Sequence, residues 1–257
     1  MRIGQFDRVN RTPIFYYHSV GSAPPQTIPL SQFRRNLEAI RDQGFQTRTV
    51  NDLIAGGDRP GSVVLTFDDG LLDNYTKVFP LLLEFGMVAT FYVVPGYDKV
   101  TRYVNPWSGG WSDFPQPLYS LPFYSMQSQH RQEMSRHGME IGCHTFNHRK
   151  LTQVPSVELR HEIADSKIFL EDELGQPVTT FCYPNGRFDR RVLAQVKEAG
   201  YLGACSTLPG YYKTLRHPYL LNRFLVEGHD LFEATLRGRF FHPATLARLV
   251  KGKLFPT

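Results

Sequence analysis

Seven short apolar runs, at residues 14–18, 62–67, 88–94, 139–144, 178–183, 201–206 and 221–226, limit what this chain can fold into. Each is bounded by Gly, Pro or polar residues, and such runs predict strands buried on both faces. Between them the spacing changes to that of helices. Ser31 stands where it can cap a helix with Phe33, Leu37 and Ile40 on one face, ended by Gly44. Further helices are predicted over 73–85, where Pro80 marks a kink or late start, and over 129–137, 156–174 and 189–199. Asp230 and Glu233 have the spacing of a capping box for a last short helix. Strands alternating with helices predict a parallel sheet, because a parallel pair needs a crossover. The 257 residues, 41% of them hydrophobic, suit a single domain. The expectation is α/β, a seven-stranded (β/α) barrel or a related doubly wound sheet.

Catalytic groups in either architecture gather at the C-terminal ends of strands. Two segments there carry the chemistry. Ser62–Phe67 runs directly into Asp68-Asp69-Gly70. On a continuing strand the two carboxylates would point to opposite faces, so serving one site requires the backbone to leave the pleat, which Gly70 permits. Two close carboxylates repel, and a cation that takes one as ligand leaves the other ionised as a base. By itself the tripeptide is equally a polar turn before a helix. The run over 139–143 is followed by His144-Thr145-Phe146-Asn147-His148, two imidazoles four residues apart and within reach of a common ion. With nine histidines in the chain such a pair also arises by chance. A carboxylate and two histidines at the same end of neighbouring strands is a rarer accident, and the set leaves coordination positions open, as catalytic sites do.

The remaining composition restricts function less. The chain opens Met1-Arg2-Ile3-Gly4 without an apolar leader, and no run approaches membrane-spanning length, so a cytoplasmic protein is expected. An odd count of three cysteines, Cys143, Cys182 and Cys205, all inside predicted strands, agrees with a reducing compartment. Cys143 beside His144 faces the other way along its strand and reads as a structural thiol. Net charge is +5 with dispersed basic residues and no nucleic-acid-binding motif. Over 243–257, Arg248, Lys251 and Lys253 alternate with apolar residues. That pattern fits a terminal helix packed on the domain, or else contact with the anionic inner face of a membrane. Residues 96–125 form a long excursion holding Tyr97, Tyr103, Trp107, Trp111, Phe114, Tyr119, Phe123 and Tyr124. Loops of this length are usually functional, and Trp107 and Trp111 offer flat apolar faces for stacking on a ligand or for a lid.

The segments Thr66–Gly70 and His144–His148 resemble the first two motifs of the polysaccharide deacetylase family, carbohydrate esterase family 4. The resemblance extends over about 14–236 and includes Tyr17-His18, Leu151-Thr152, the helix of Glu162, and Phe181-Cys182-Tyr183-Pro184-Asn185-Gly186. It implies a distorted seven-stranded (β/α) barrel that removes N-acetyl groups from an N-acetylated sugar in a glycan or glycan precursor. It also implies Asp69, His144 and His148 as ligands of one divalent metal, zinc first with cobalt, nickel or iron as alternatives, and Asp68 as general base. The backbone amide of Asn185 would face the oxyanion, and Tyr183, Pro184 and His18 would contact substrate. Deformylation or opening of a small amide is the alternative activity, and a non-catalytic glycan-binding protein is the alternative outside catalysis.

Two departures from the family pattern bear on mechanism. Many members carry an Arg beside the catalytic Asp where this chain has Cys182, and Arg223, inside the apolar run 221–226, is the natural substitute. A buried Arg needs a partner in any case. The family's late Leu-x-His, source of the general acid, has no clear counterpart after residue 200, where His217, His229 and His242 are poor candidates. His18, at the end of the first strand, is the remaining candidate proton donor.

Overall fold

The computed structural model describes residues 11–21, 27–99, 102–104, 111–113, 125–211 and 217–238. Trp107, His242 and the stretch 243–257 lie outside the described residues, and Trp111 is placed only as a backbone position.

The order along the chain is β1 (Ile14–Tyr17), β2 (Ser19–Val20), β3 (Thr27–Ile28), α1 (Leu30–Asp42), β4 (Gln46–Arg48), α2 (Val50–Gly56), β5 (Ser62–Phe67), α3 (Phe79–Phe85) and β6 (Thr90–Val93). It continues with β7 (Arg102–Val104), β8 (Trp111–Asp113), α4 (Ser128–Arg136), β9 (Glu140–Cys143), α5 (Ser156–Arg160), α6 (Ser166–Leu174), β10 (Thr180–Cys182), α7 (Arg190–Glu198), β11 (Gly203–Cys205), β12 (Phe224–Leu225) and α8 (His229–Leu236). Seven strands form a curled parallel sheet in the order β11-β10-β9-β6-β5-β1-β12, with β4 added on β5. A parallel bridge between Cys205 and Leu221 brings the two edges of the curl together. β2 pairs with β3, and β7 with β8, outside this sheet.

Alternation along the strands divides the interior in two. Phe15, Val63, Leu65, Phe67, Phe91, Ile141, Phe181 and Ala204 pack under the helices in the larger core, with Leu37, Leu82, Leu170 and Val196. Ile14, Val64, Tyr92, Cys182, Cys205 and Leu221 form a second, smaller cluster with Val50 and Leu53 of α2. This second cluster fills the inside of the curl, and the residues one step further along its strands make the site. All three cysteines are free and buried. Cys143 belongs to the larger core, with Sγ 3.1 Å from Ser166 Oγ, on the side away from the histidines.

Several boundaries differ from the sequence expectation for local reasons. α1 begins after Pro29 rather than at a Ser31 cap, since Pro fixes φ and suits a helix entry. The predicted 73–85 helix starts as a wide turn, Asn74–Val78, before α3, with Pro80 in its first turn. A second wide turn, His161–Asp165, joins α5 to α6 within the predicted 156–174 helix. The capping box at Asp230 is absent: Gly228 precedes α8, and Glu233 instead meets Arg237 and Gln43. β4 and α2 were missed, although Thr49 and Asp52 form a capping box there. Asp189 does cap α7, accepting from the amides of Arg191 and Val192.

Candidate active site

The motif segments meet at the C-terminal end of the sheet, and their backbone is unusual. Asp69 (φ 71°), Thr145 (φ 67°), His148 (φ 54°) and Asn185 (φ 55°) are the non-glycine residues with positive φ among those described. All sit in the three motif segments. Such conformations cost energy and persist where the surroundings impose them, typically at sites of function. At the end of β5, Asp68 keeps the strand register, its amide donating to the Tyr17 carbonyl at 2.9 Å. The left-handed turn at Asp69 and Gly70 then brings the second carboxylate to the same end of the curl.

Asp69 Oδ1 lies 3.7 Å from His144 Nε2 and 3.4 Å from His148 Nε2. That oxygen is buried and has no hydrogen-bond partner among the described residues. The His144 ring is fixed by Nδ1–H, which donates to the Cys182 carbonyl at 2.7 Å and leaves Nε2 facing Asp69. This is the usual tethering of a metal-ligating imidazole. Burial pushes the His144 imidazole down to about 4, with neighbouring His148 adding to the shift against the pull of Asp68 and Asp69. It is therefore neutral at pH 7, the state a ligand must have. Asp69, His144 and His148 thus offer one carboxylate and two imidazole donors within 4.8 Å of one another. An orphaned buried oxygen facing two imidazole nitrogens fits a divalent cation of the zinc type. Asp68, His144 and Cys182 are also mutually close, but both Asp68 oxygens are already engaged.

They are engaged by Arg223. Its Nη1 and Nη2 donate to Asp68 Oδ1 and Oδ2, each at 2.7 Å, and the pair is buried. Nη1 also donates to Thr66 Oγ1 at 3.0 Å, Nη2 to Cys182 Sγ at 3.0 Å, and Nε to the Ser206 carbonyl at 2.9 Å. The guanidinium carbon lies 4.5 Å from the centre of the Tyr16 ring and 5.7 Å from that of Tyr92, both within cation–π range. Burial alone would raise the Asp68 carboxyl, but Arg223 overcomes it and holds the group well below the usual carboxylate range. The same surroundings push the Cys182 thiol, by burial, well above its ordinary value. Sequence reading missed Tyr16, Thr66 and Tyr92 as parts of this cradle. Counting back in twos from Asp68 and along β1 and β6 finds them, since they share the inward face.

The other nominated residues are placed less uniformly. His18 is half-buried beside the Tyr16 ring at 5.8 Å, and its Nδ1 is buried without a partner among the described residues. It is close enough to be the least of the influences that lower the Asp68 carboxyl. Asn185 is exposed at the left-handed turn after β10, with Pro184 buried ahead of it. Tyr183 does not face substrate: it is fully buried, donates its hydroxyl to the Tyr219 carbonyl at 3.2 Å, and lies against Phe181 and Phe188. One residue past the inward-facing Cys182, its side chain necessarily enters the helix-covered core. His229 binds Asn36 Oδ1 through Nδ1 at 2.7 Å, at the start of α8, and takes no part. Tyr97, the first aromatic of the long excursion, has its ring 6.5 Å from that of His148.

The family model for Polysaccharide deacetylase matches residues 55–204, and the chain belongs to that family. Among its relatives, YxkH of Bacillus subtilis (strain 168), named as a polysaccharide deacetylase, is 28% identical over 221 residues, 84% of this chain and 71% of its own length. A peptidoglycan-N-acetylglucosamine deacetylase of Bacillus cereus is 31% identical over 140 residues, 54% of this chain and 53% of its own length. Among solved structures, the Streptococcus pyogenes deacetylase PplD, in complex with acetate, superposes with a TM-score of 0.73 at 22% identity, covering 90% of this chain and 99% of that one. IcaB from Ammonifex degensii gives a TM-score of 0.72 at 20% identity, covering 89% and 97%. Both share the fold.

Proposed function

We propose that this protein is a divalent-metal-dependent de-N-acetylase acting on an N-acetylated hexosamine within a glycan. The carrying observation is the orphaned Asp69 oxygen between two imidazole nitrogens, with an ionised Asp68 held next to it by Arg223. Asp69, His144 and His148 would hold the ion, which when bound supplies Lewis acidity toward the acetyl carbonyl and acidifies a water. Asp68 accepts the proton of the attacking water; it is ionised at neutral pH and keeps lone pairs beyond the two that Arg223 occupies. Arg223 orients that carboxylate and stops it from swinging onto the cation. The amide at the Asn185 turn is suited to the developing oxyanion. His18, with an unpartnered ring nitrogen beside Asp68, delivers the proton to the departing amine. The substrate class is supported by family membership and by the named activity of the Bacillus cereus relative.

The test is acetate release from N-acetylglucosamine oligomers, with metal content measured on the same preparation. Wild type is expected to release acetate, to stop on chelation and to recover with zinc, cobalt or nickel. Asp68→Asn should lower turnover by about 10²–10⁴-fold, the range for a lost general base. Undiminished turnover after Asp68→Asn, or no acetate from any N-acetylhexosamine glycan in the presence of metal, would overturn the reading.

A further inference from the structure

The loop between His144 and His148 is held by a residue that supplies no ligand. Glu162 is 1% exposed and sits on the wide turn His161–Asp165, where the extra residue of the turn shifts its side chain relative to a regular helix. Its Oε2 accepts from the Asn147 backbone amide at 2.9 Å, and its Oε1 accepts from Asn147 Nδ2 at 3.1 Å. Its backbone carbonyl accepts from the Phe146 amide at 3.0 Å. From the opposite side the Gly96 amide donates to the Phe146 carbonyl at 2.8 Å. A Cβ on Gly96 would fall 2.5 Å from Asn147 Oδ1 and nearer still to the Phe146 carbonyl. The residues so clamped, Phe146 and Asn147, lie between the left-handed Thr145 and the left-handed His148.

We infer that Glu162 is a positioning residue for the proposed metal site: it fixes Asn147, and with Gly96 it sets the separation of the two imidazoles before any ion arrives. This rests on the reading of Asp69, His144 and His148 as metal ligands. The chemistry is specific to a carboxyl, because both of its oxygens receive an N–H. In Glu162→Gln one N–H would meet an amide NH₂, donor against donor. In Asn147→Asp two carboxylates would face each other, while the backbone amide still needs its acceptor. The exchanged pair, Glu162→Gln with Asn147→Asp, restores complementarity: Gln oxygen to backbone amide, Gln NH₂ to the new carboxylate.

The experiment measures zinc affinity of the full chain by competition with a chromogenic chelator, beside the melting temperature of the metal-free protein. Each single substitution should weaken zinc binding by about 10–100-fold, the usual effect of removing a partner behind the ligands. The exchanged pair should recover most of that loss, and metal-free melting temperatures should move far less than affinity. Should Glu162→Gln fail to fold, Gly96→Ala presses the same loop from the other side and is expected to weaken zinc comparably. Equal zinc affinity in wild type and a folded Glu162→Gln, or an exchanged pair no tighter than the singles, would overturn the inference. Wild type that holds neither zinc, cobalt nor nickel would instead remove the metal reading itself, and this inference with it.

Discussion

Asp68, which is buried, and Glu140, which is half-buried, are carboxyl groups at opposite ends of the space inside the curl, and the chain treats them in opposite ways. At the C-terminal end Asp68 receives a two-pronged guanidinium, and although burial works against it the carboxyl stays well below its ordinary value of 3.8. At the N-terminal end Glu140 has, among the described residues, only neutral donors. Thr180 Oγ1 donates at 2.5 Å, Thr90 Oγ1 at 2.7 Å and the Asn51 amide at 3.0 Å. Burial outweighs these hydrogen bonds, and the Glu140 carboxyl is pushed above its ordinary 4.5. Removal from water raises both carboxyls, so it is their partners that separate them. A paired charge keeps one ionised, as the proposed base must be, while hydroxyls and an amide hold the other as a structural bond between α2, β6, β9 and β10.

Breaking the Asp68 pair should give the largest effect. Arg223→Met keeps volume but leaves a buried carboxylate alone, a change that typically costs about 3–5 kcal/mol, measurable by urea unfolding of the metal-free protein. The sign with pH is fixed by the depressed folded value. In wild type the stabilisation by Asp68 is present above the unfolded value of 3.8 and is lost as pH falls below it toward the folded value. In Arg223→Met burial, the largest influence, is opposed only by the weaker pulls of His144 and His18, and the carboxyl is expected to titrate above its ordinary value. The variant should then lose stability as pH rises toward neutrality, where wild type does not. Parallel pH–stability curves for the two proteins would refute the pairing as the controlling interaction.

A smaller effect is expected midway between the two carboxyls. Glu140, Gly142 and His144 alternate along β9, so all three point inward. A Cβ at Gly142 would lie 2.5 Å from a Tyr92 ring carbon and 2.8 Å from Thr180 Oγ1. Tyr92 touches the Arg223 face and Thr180 bonds Glu140, so Gly142→Ala strains both ends at once. Overpacking of this kind costs about 1–3 kcal/mol and should appear as a lower urea midpoint.

The difference between the two ends also explains what the sequence made legible. Apolar runs and helix spacing were enough for the parallel sheet, because each strand is buried on both faces and reads continuously. β4 and α2 escaped because Gln46–Arg48 is polar and partly exposed, and Val50–Gly56 is too short for helical periodicity. At the site, Asp68, Asp69, His144 and His148 announce themselves by residue type and spacing. Arg223 was legible as a charge inside an apolar run that had to find a partner. Tyr183 misled because its motif neighbours face the site while its own side chain faces the core. The Glu162 clamp and the Tyr16 and Tyr92 rings act through contacts between distant strands and helices, which a single sequence does not display.

The finest test of the comparison is Glu140→Gln, where the expected change at neutral pH is small. A raised folded value means that Glu140 favours folding below its unfolded 4.5, and that this contribution is lost as pH rises through the folded value. Gln has nearly the same shape and is never charged, and Thr180 or Thr90 can turn its hydroxyl to accept from the new NH₂. Glu140→Gln should therefore lie within about 1 kcal/mol of wild type at pH 7 in urea unfolding, and should gain relative to wild type as pH rises. A loss of several kcal/mol at pH 7 would mean that the ionised form of Glu140 is itself stabilised. The two ends of the curl would then differ in the identity of their donors and no longer in the charge state they select.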